Sequence, residues 1–288
     1  MPLSTIESAP VQRNIDTGEL AFNAVLQPCR SVANDSVVES LAIALQLEST
    51  ETRALIDAAK PIPVARSQTR QEAEMICALL RSHGCKAAVV SDEEMQLQAE
   101  LLRARRLALS ESEIQVTHSA GTLVLAKSDV RLMVLGELSS KRIDYVEGLS
   151  GGRGRSGGVL DSSEYRSEEL MLDVYADTLN RSFRIRSDAF DYAGLVLPLA
   201  FRSDLNFKAA ITNLREALPH ARLDEDFSSM ARLLERAWPE RTRNETRGFK
   251  RTGMSFRSVA QASAISDNRD QFERYSRLMF KSLADKQG

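Results

Sequence analysis

Over the first third of the chain, apolar positions switch between strand and helix spacing. Phe22, Ala24 and Leu26 alternate as on a strand, and Pro28 ends the run. Asn34 or Asp35 caps a helix that carries Val37, Val38, Leu41 and Leu45 on one face. A second helix, Thr50–Ala59, presents Leu55, Ala58 and Ala59. Pro61 and Pro63 break it and leave Ile62–Val64 only as a short edge strand. Thr69-Arg70-Gln71-Glu72 is a capping box, in which hydroxyl and carboxylate satisfy each other's backbone amides. The helix behind it shows Ala73, Ile76, Cys77 and Leu80. Gly84 supplies its left-handed stop, and Lys86–Val90 forms a last strand. The order is β-α-α-β-α-β over residues 20–91, behind a loose polar arm at 1–19.

Ser91-Asp92-Glu93-Glu94 reads as another capping box and predicts a connector helix over 92–110. Arg103, Arg105 and Arg106 crowd its end, where cations are mildly favourable, as a solvated face or as phosphate contacts. After Ser110 the period changes to two. Predicted strands are Ile114–His118, Thr122–Ala126, Val130–Gly136, Arg142–Val146, Leu170–Ala176 and Ser182–Ile185. Leu170, Leu172, Val174 and Ala176 share one face and Asp173 and Tyr175 the other. Phe183 and Ile185 likewise oppose Arg184 and Arg186. This alternation predicts antiparallel strands with one wet face. A helix over Asp204–Leu218 follows, then one capped by Asp226 with Phe227, Met230, Leu234 and Trp238, closing a second domain at 111–238. Residues 239–257 hold six basic and two acidic side chains and read as a flexible basic segment. Asn268–Ala284 is amphipathic through Phe272, Tyr275, Met279 and Leu283. It is expected to fold back on the second domain, to dock on a partner or to rest on a membrane surface. The fold class is α+β, with an antiparallel β-rich second domain, packing helices and a 239–288 tail.

Composition narrows function more by exclusion. The chain has 288 residues, 43% hydrophobic and 27% charged, with a net charge of −2. No global field draws it to nucleic acid or an acidic membrane. No apolar run nears the ~20 residues that span a bilayer. The start lacks a basic flank followed by an apolar stretch, and the three cysteines are an odd number. Reduced thiols in a bacterial cytoplasm are the expectation. Cys77, His83 and Cys85 lie close in sequence but on different elements, without a second cluster to complete a tetrahedral metal set.

One stretch imitates enzyme motifs. Gly148-Leu149-Ser150-Gly151-Gly152 fits G-x-S-x-G, and Gly152-Arg153-Gly154-Arg155-Ser156-Gly157 fits G-x-G-x-x-G. A hydrolase would use Ser150, with His220 completing a triad in the order Ser, Asp, His; in the dinucleotide reading Asp173 lies about where a ribose-binding acid would. Both motifs need a helix directly after the glycines, whose free amides hold an oxyanion or phosphate. Residues 151–158 contain five glycines, each costing about 1 kcal/mol in a helix. Asp161–Glu169 then offers one large apolar side chain, Tyr165. A slack loop between strands is the expectation, with no catalytic residue and no cofactor. Arg153 and Arg155 leave a nucleic-acid reading open, together with Arg103–Arg106 and the basic tail.

The element order over Phe22–Ser91, and above all ALIDAAKPIPVARSQTRQEAEMICALLRSHGCKAAVV at 54–90, resembles the C-terminal domain of the bacterial ribosomal stalk protein. The likeness implies a three-stranded sheet with helices on one face, and a protein-binding habit. The stalk family recruits factors through a lysine-bearing helix with a Gly-rich turn; the matching DSVVESLAIALQLES has neither lysine nor glycine. The same fold is that of ClpS, a protease adaptor that holds a substrate's α-amino group with an Asn-Asp pair before its first helix. Asn34 and Asp35 stand at that place and are the partner-binding candidates; both are also preferred helix caps. The ClpS histidine has no counterpart in TRALIDAAK. The second domain resembles a pleckstrin-homology-like barrel in architecture. The expected function is a non-enzymatic adaptor with a protein or peptide partner.

Overall fold

The computed structural model describes residues 20–28, 34–149, 159–195, 200–251 and 258–285, and at 146–149, 159–161, 246–251 and 258–261 the backbone alone. The fold is α+β, and the chain divides into two compact units. The first takes the chain up to Ala99, Ser229–Pro239 and the chain from Glu273. The second takes Glu100–Ser228 and Glu240–Phe272.

The first unit contains β1 (Phe22–Leu26), α1 (Asp35–Leu45), α2 (Ser49–Asp57), β2 (Ile62–Ser67), α3 (Arg70–Ser82) and β3 (Ala87–Ser91). β1 lies between β2 and β3, antiparallel to both. The prolines hold β2 to the sheet edge, since Pro63 has no amide for a second neighbour. The Thr69 capping box has both of its bonds, Glu72 N to Thr69 Oγ1 and Thr69 N to Glu72 Oε2, each 3.2 Å. Gly84 adopts φ +80, the left-handed stop after α3. Asn23, Ala24, Val25 and Leu26 are all buried. Successive strand side chains point to opposite faces, so both faces of this sheet are covered. The resemblance implies helices on one face only. Here Trp238, from Ser229–Pro239, meets Asn23 on the other side of β1.

The Ser91 box also forms, with Ser91 N bonded to Glu94 Oε2 at 2.7 Å and Glu94 N to Ser91 Oγ at 3.0 Å. The predicted connector helix does not follow it. Residues 92–98 are turns, and Gln96 takes φ 52, which ends any helical run. The chain continues as β4 (Leu102–Arg103) and β5 (Arg106–Leu109). Ala104 and Leu107 are buried on opposite sides of the exposed Arg105-Arg106 doublet. That doublet interrupts the period of two and gives the stretch the look of a helix end.

In the second unit β5 pairs with β6 (Glu113–His118), and β6 with β7 (Gly121–Ala126). A larger sheet runs β12-β13-β8-β9-β10-β4, from β8 (Leu132–Leu149), β9 (Val159–Tyr175), β10 (Phe183–Arg186), β12 (Arg241–Arg251) and β13 (Ser258–Asp267). α4 (Ser203–Ala217) and β11 (Arg222–Asp224) follow β10, and β11 adds to β8 in parallel. Met133, Leu172, Val174, Phe183 and Ile185 form one face of this sheet. They share a core with Leu107, Ile114 and Leu125 of the small sheet and with Phe207, Ile211 and Leu214 of α4.

The opposite face is not wet, which corrects the expectation for Asp173 and Tyr175. Both have no exposed surface. Arg184 holds Asp173 with two bonds, 2.6 and 2.9 Å, and its guanidinium lies 5.8 Å over the Phe272 ring. Phe272 stands edge-on to Phe227 at 5.1 Å and rests on Gly136, where a Cβ would come within 2.4 Å of the ring. A bidentate charge pair under an aromatic lid lets a polar strand face be buried without an unpaired charge.

α5 (Phe227–Leu234) and α6 (Arg269–Ala284) carry the chain from the second unit into the first. Arg274 to Met279 are buried without a break. Six successive residues point to every side of a helix, so this part of α6 keeps no free stripe for a partner or a membrane surface. From Glu273 it belongs to the first unit, where the sequence predicts packing on the second domain.

The reading of 239–257 as a flexible basic segment is corrected over 241–251, while 252–257 lie outside the described residues. Arg241–Arg251 is strand β12, paired along its length with β13. Likewise 161–169 extends β9, and the two predicted strands at 130–146 are one, β8. Backbone pairing with β9, joined from Ser140 onward by β13, carries β8 through the mostly polar Glu137–Lys141, which a hydrophobic period cannot register.

Candidate functional site

Asn34 is the N-cap of α1: its Oδ1 accepts from Val37 N at 2.9 Å. Asp35 is exposed in the first helical turn and bonds Arg53. The two side chains therefore serve α1 and its contact with α2. Elsewhere in the first unit, Leu47, Leu55, Val64 and Leu233 line a pocket together with Arg232 and Arg236; neither Asn34 nor Asp35 lines it. Arg236 is engaged by the last carbonyls of α1, at 2.6 Å from Leu45 O and 3.4 Å from Gln46 O. Arg232 stands 3.9 Å from Glu51.

The cysteine and histidine candidates are separated by their environments. Cys77 and Cys85 are buried free thiols, and burial pushes the Cys77 thiol up, away from the reactive thiolate. His83 Nδ1 lies 3.1 Å from Ser40 Oγ on α1. Among the described residues no group of His, Cys, Asp and Glu is placed to hold a metal ion. Cys29 lies outside the described residues. So do Ser150 and 151–158, which connect β8 to β9, two antiparallel strands. The element after the glycines is thus a strand rather than a helix. Asp173 is bound to Arg184, and His220 Nε2 lies 2.9 Å from Lys127 O. Arg106 is 3.8 Å from Asp191, while Arg103 and Arg105 are exposed.

The hydrophobic period of the sequence does not point to a further exposed feature, in the second unit. Beyond the core, the outer halves of β8, β9, β12 and β13 continue as a four-stranded sheet. On β9, Ser162–Glu168 are exposed on both faces, and on β12 so are Thr242–Glu245. β10 pairs with β9 at Met171–Val174 and Ser187 bonds Leu170, which leaves the outer edge of β9 without a strand partner before Leu170 among the described residues. β12 ends the sheet, with β13 as its neighbour. Inside the arm, Ser263 Oγ donates to Asp144 Oδ1 at 2.6 Å, and Arg142 holds the same carboxylate. Arg166 and Lys141 grip Glu164 at 2.8 and 3.1 Å, and their hydrogen bonds hold its carboxyl below the usual range. The signal for this arm was the alternation of Thr242 and Thr246 with Arg241, Arg243 and Glu245. It is a strand pattern written in polar residues.

Comparison of the chain with protein-family models, with curated proteins and with solved structures finds no match. Among the described residues no helix is long and apolar enough to cross a membrane.

Proposed function

We propose that this protein is a non-enzymatic, cytoplasmic interaction protein, an adaptor that engages protein partners through the strand arm of its second unit. The observation that carries this reading is the arm itself. It holds out two long strand edges whose amides and carbonyls lack strand partners among the described residues. Open edges are templates for an added strand, with affinity from main-chain bonds and specificity from alternate side chains. The non-enzymatic part is supported by the strand after the glycine loop, since both enzyme patterns need a helix N-terminus there. The β-α-α-β-α-β order, with β1 central, supports the stalk-like or ClpS-like reading of the first unit. The pleckstrin-homology-like reading of the second rests on strands followed by the packing helix α4.

The test is capture from native lysate with two baits. One is the full chain; the other has residues 143–164 replaced by an Asn-Gly hairpin turn, with its folding checked by a cooperative melt. Proteins retained by the first and lost by the second support the reading. Equal recovery by both baits, or no recovery by either, contradicts it.

A further inference from the structure

We infer that the outer edge of β12 is a self-pairing surface, and that two copies of this chain join there as antiparallel strands in one continuous sheet. The inference rests on the arm being an interaction surface, and it names the occupant of one edge. A two-fold axis normal to the sheet keeps the faces of both copies aligned. Arg241, Arg243 and Glu245 therefore lie on one face of the joined sheet, and the Thr242, Asn244 and Thr246 positions on the other. Residues of one face must then oppose each other, which allows only registers centred on a residue.

Four such registers are centred within the exposed Thr242–Glu245, and the one on Thr242 sets Arg241 against Arg243. Centring on Arg243 sets it against its own copy, and centring on Glu245 does the same to the carboxylate. Like charges directly opposite are destabilising. Centring on Asn244 places Arg243 opposite Glu245 twice, Asn244 opposite itself, and the Thr242 position opposite the Thr246 position. No like charges face each other over 242–246.

The strand is also bounded for this length. Its register shifts between Thr246 and Phe249, which bends the edge away beyond Thr246. At the other end Arg241 is tied to Asp270 at 2.9 Å. Within one copy Arg243 and Glu245 are 3.9 Å apart, and each is about half exposed. Arg243 also lies 3.5 Å from Asp267 Oδ2, so turning across the axis trades or shares that contact, while Glu245 is held only at 3.9 Å. The open edge of β9 is less available, because Lys141 and Arg166 already hold its Glu164 at hydrogen-bonding distance.

The experiment is sedimentation velocity over a dilution series, on the full chain and on three variants: Arg243→Glu, Glu245→Arg and the double swap. Dimers in the parent are expected, with dissociation about tenfold or more easier in either single variant, because two attractive pairs become repulsive. The double swap exchanges the partners and should restore the dimer, which also guards against a misfolded single variant. A parent that stays monomeric throughout overturns the inference while leaving arm-dependent capture of other proteins intact. A dimer indifferent to all three changes overturns it as well, because the contact then lies elsewhere, the β9 edge included. Single variants that dissociate without rescue by the swap overturn the Asn244-centred register.

Discussion

The indole of Trp238 donates to Asn23 Oδ1 at 2.8 Å, across 215 residues of chain, with both side chains buried. The Asn23 amide in turn donates to Val90 O at 2.9 Å and to Asp92 Oδ1 at 3.0 Å. Asp92 Oδ2 accepts from Arg66 at 2.7 Å and forms an ion pair with the Arg274 guanidinium at 2.8 Å. One polar cluster thus joins β1, β2, the end of β3, the segment before Pro239 and α6. Trp238→Phe leaves Asn23 Oδ1 buried without this donor and should cost about 1–3 kcal/mol in urea denaturation. Adding Asn23→Leu should cost less than the sum of the two single changes, because the residues share one bond. Strict additivity would mean that the contact carries no coupling.

Asn34 and Asp35 separate on substitution. Asn34→Ala removes the α1 cap and should cost about 0.5–2 kcal/mol. Asp35→Ala removes an exposed ion pair with Arg53 and should cost less than about 1 kcal/mol. Titration with peptides bearing free N-termini should give no binding to the parent. Binding abolished by Asp35→Ala, with an unchanged melt, would return both residues to a ClpS-like site.

Gly136 has no room for a side chain beneath Phe272. Gly136→Ala must push the ring off Phe227 and Arg184, and should lower stability by about 1–3 kcal/mol in chemical denaturation. A neutral result would show that the ring packs loosely.

Alkaline stability should report Tyr192. Burial, with Asp188 adding to it, raises its phenol from 10.0 to about 12. Its hydroxyl donates to Ser187 O at 3.2 Å. A folded pKa above the unfolded one means that the folded state holds the proton more tightly. The contribution is complete below about pH 10 and is lost as pH rises toward 12. Absorbance titration should show a late-titrating tyrosine that Tyr192→Phe removes, and the same change should flatten the alkaline decline. An unchanged decline would remove Tyr192 as its source.

The first unit was largely legible because its signals are local. The Thr69–Glu72 box, Gly84 and the proline-bound edge each fix one boundary by backbone chemistry. The cover over the Asn23 face was not legible, because Trp238 and Arg274 lie far away in sequence and no period links them to β1. Ser91–Glu94 shows the limit of a local signal: the box forms, yet a helix does not grow from it, because Gln96 turns the chain toward β4. Asp173 and Arg184 read as solvent-facing because alternation reports polarity, and a polar pair buried under Phe272 looks the same as a wet one. The arm was missed for the converse reason, since its strands are held by backbone pairing and carry few apolar residues to count. Asn34 was legible as a cap in sequence, and its bond to Val37 bears out that reading.

The central structural claim is that the N-terminal sheet is completed by chain from the far end of the sequence. Trp238 is the one tryptophan in the chain, so its fluorescence reports that junction directly. The decisive measurement is its emission and urea midpoint in a protein ending at Phe272, which keeps the second unit's share of the chain and removes the rest of α6. Loss of Arg274 uncovers the Asp92 cluster, and loss of Tyr275, Leu278 and Met279 removes buried apolar surface. The account predicts red-shifted emission and a midpoint moved to clearly lower urea. A blue-shifted emission with the midpoint of the full chain would contradict it.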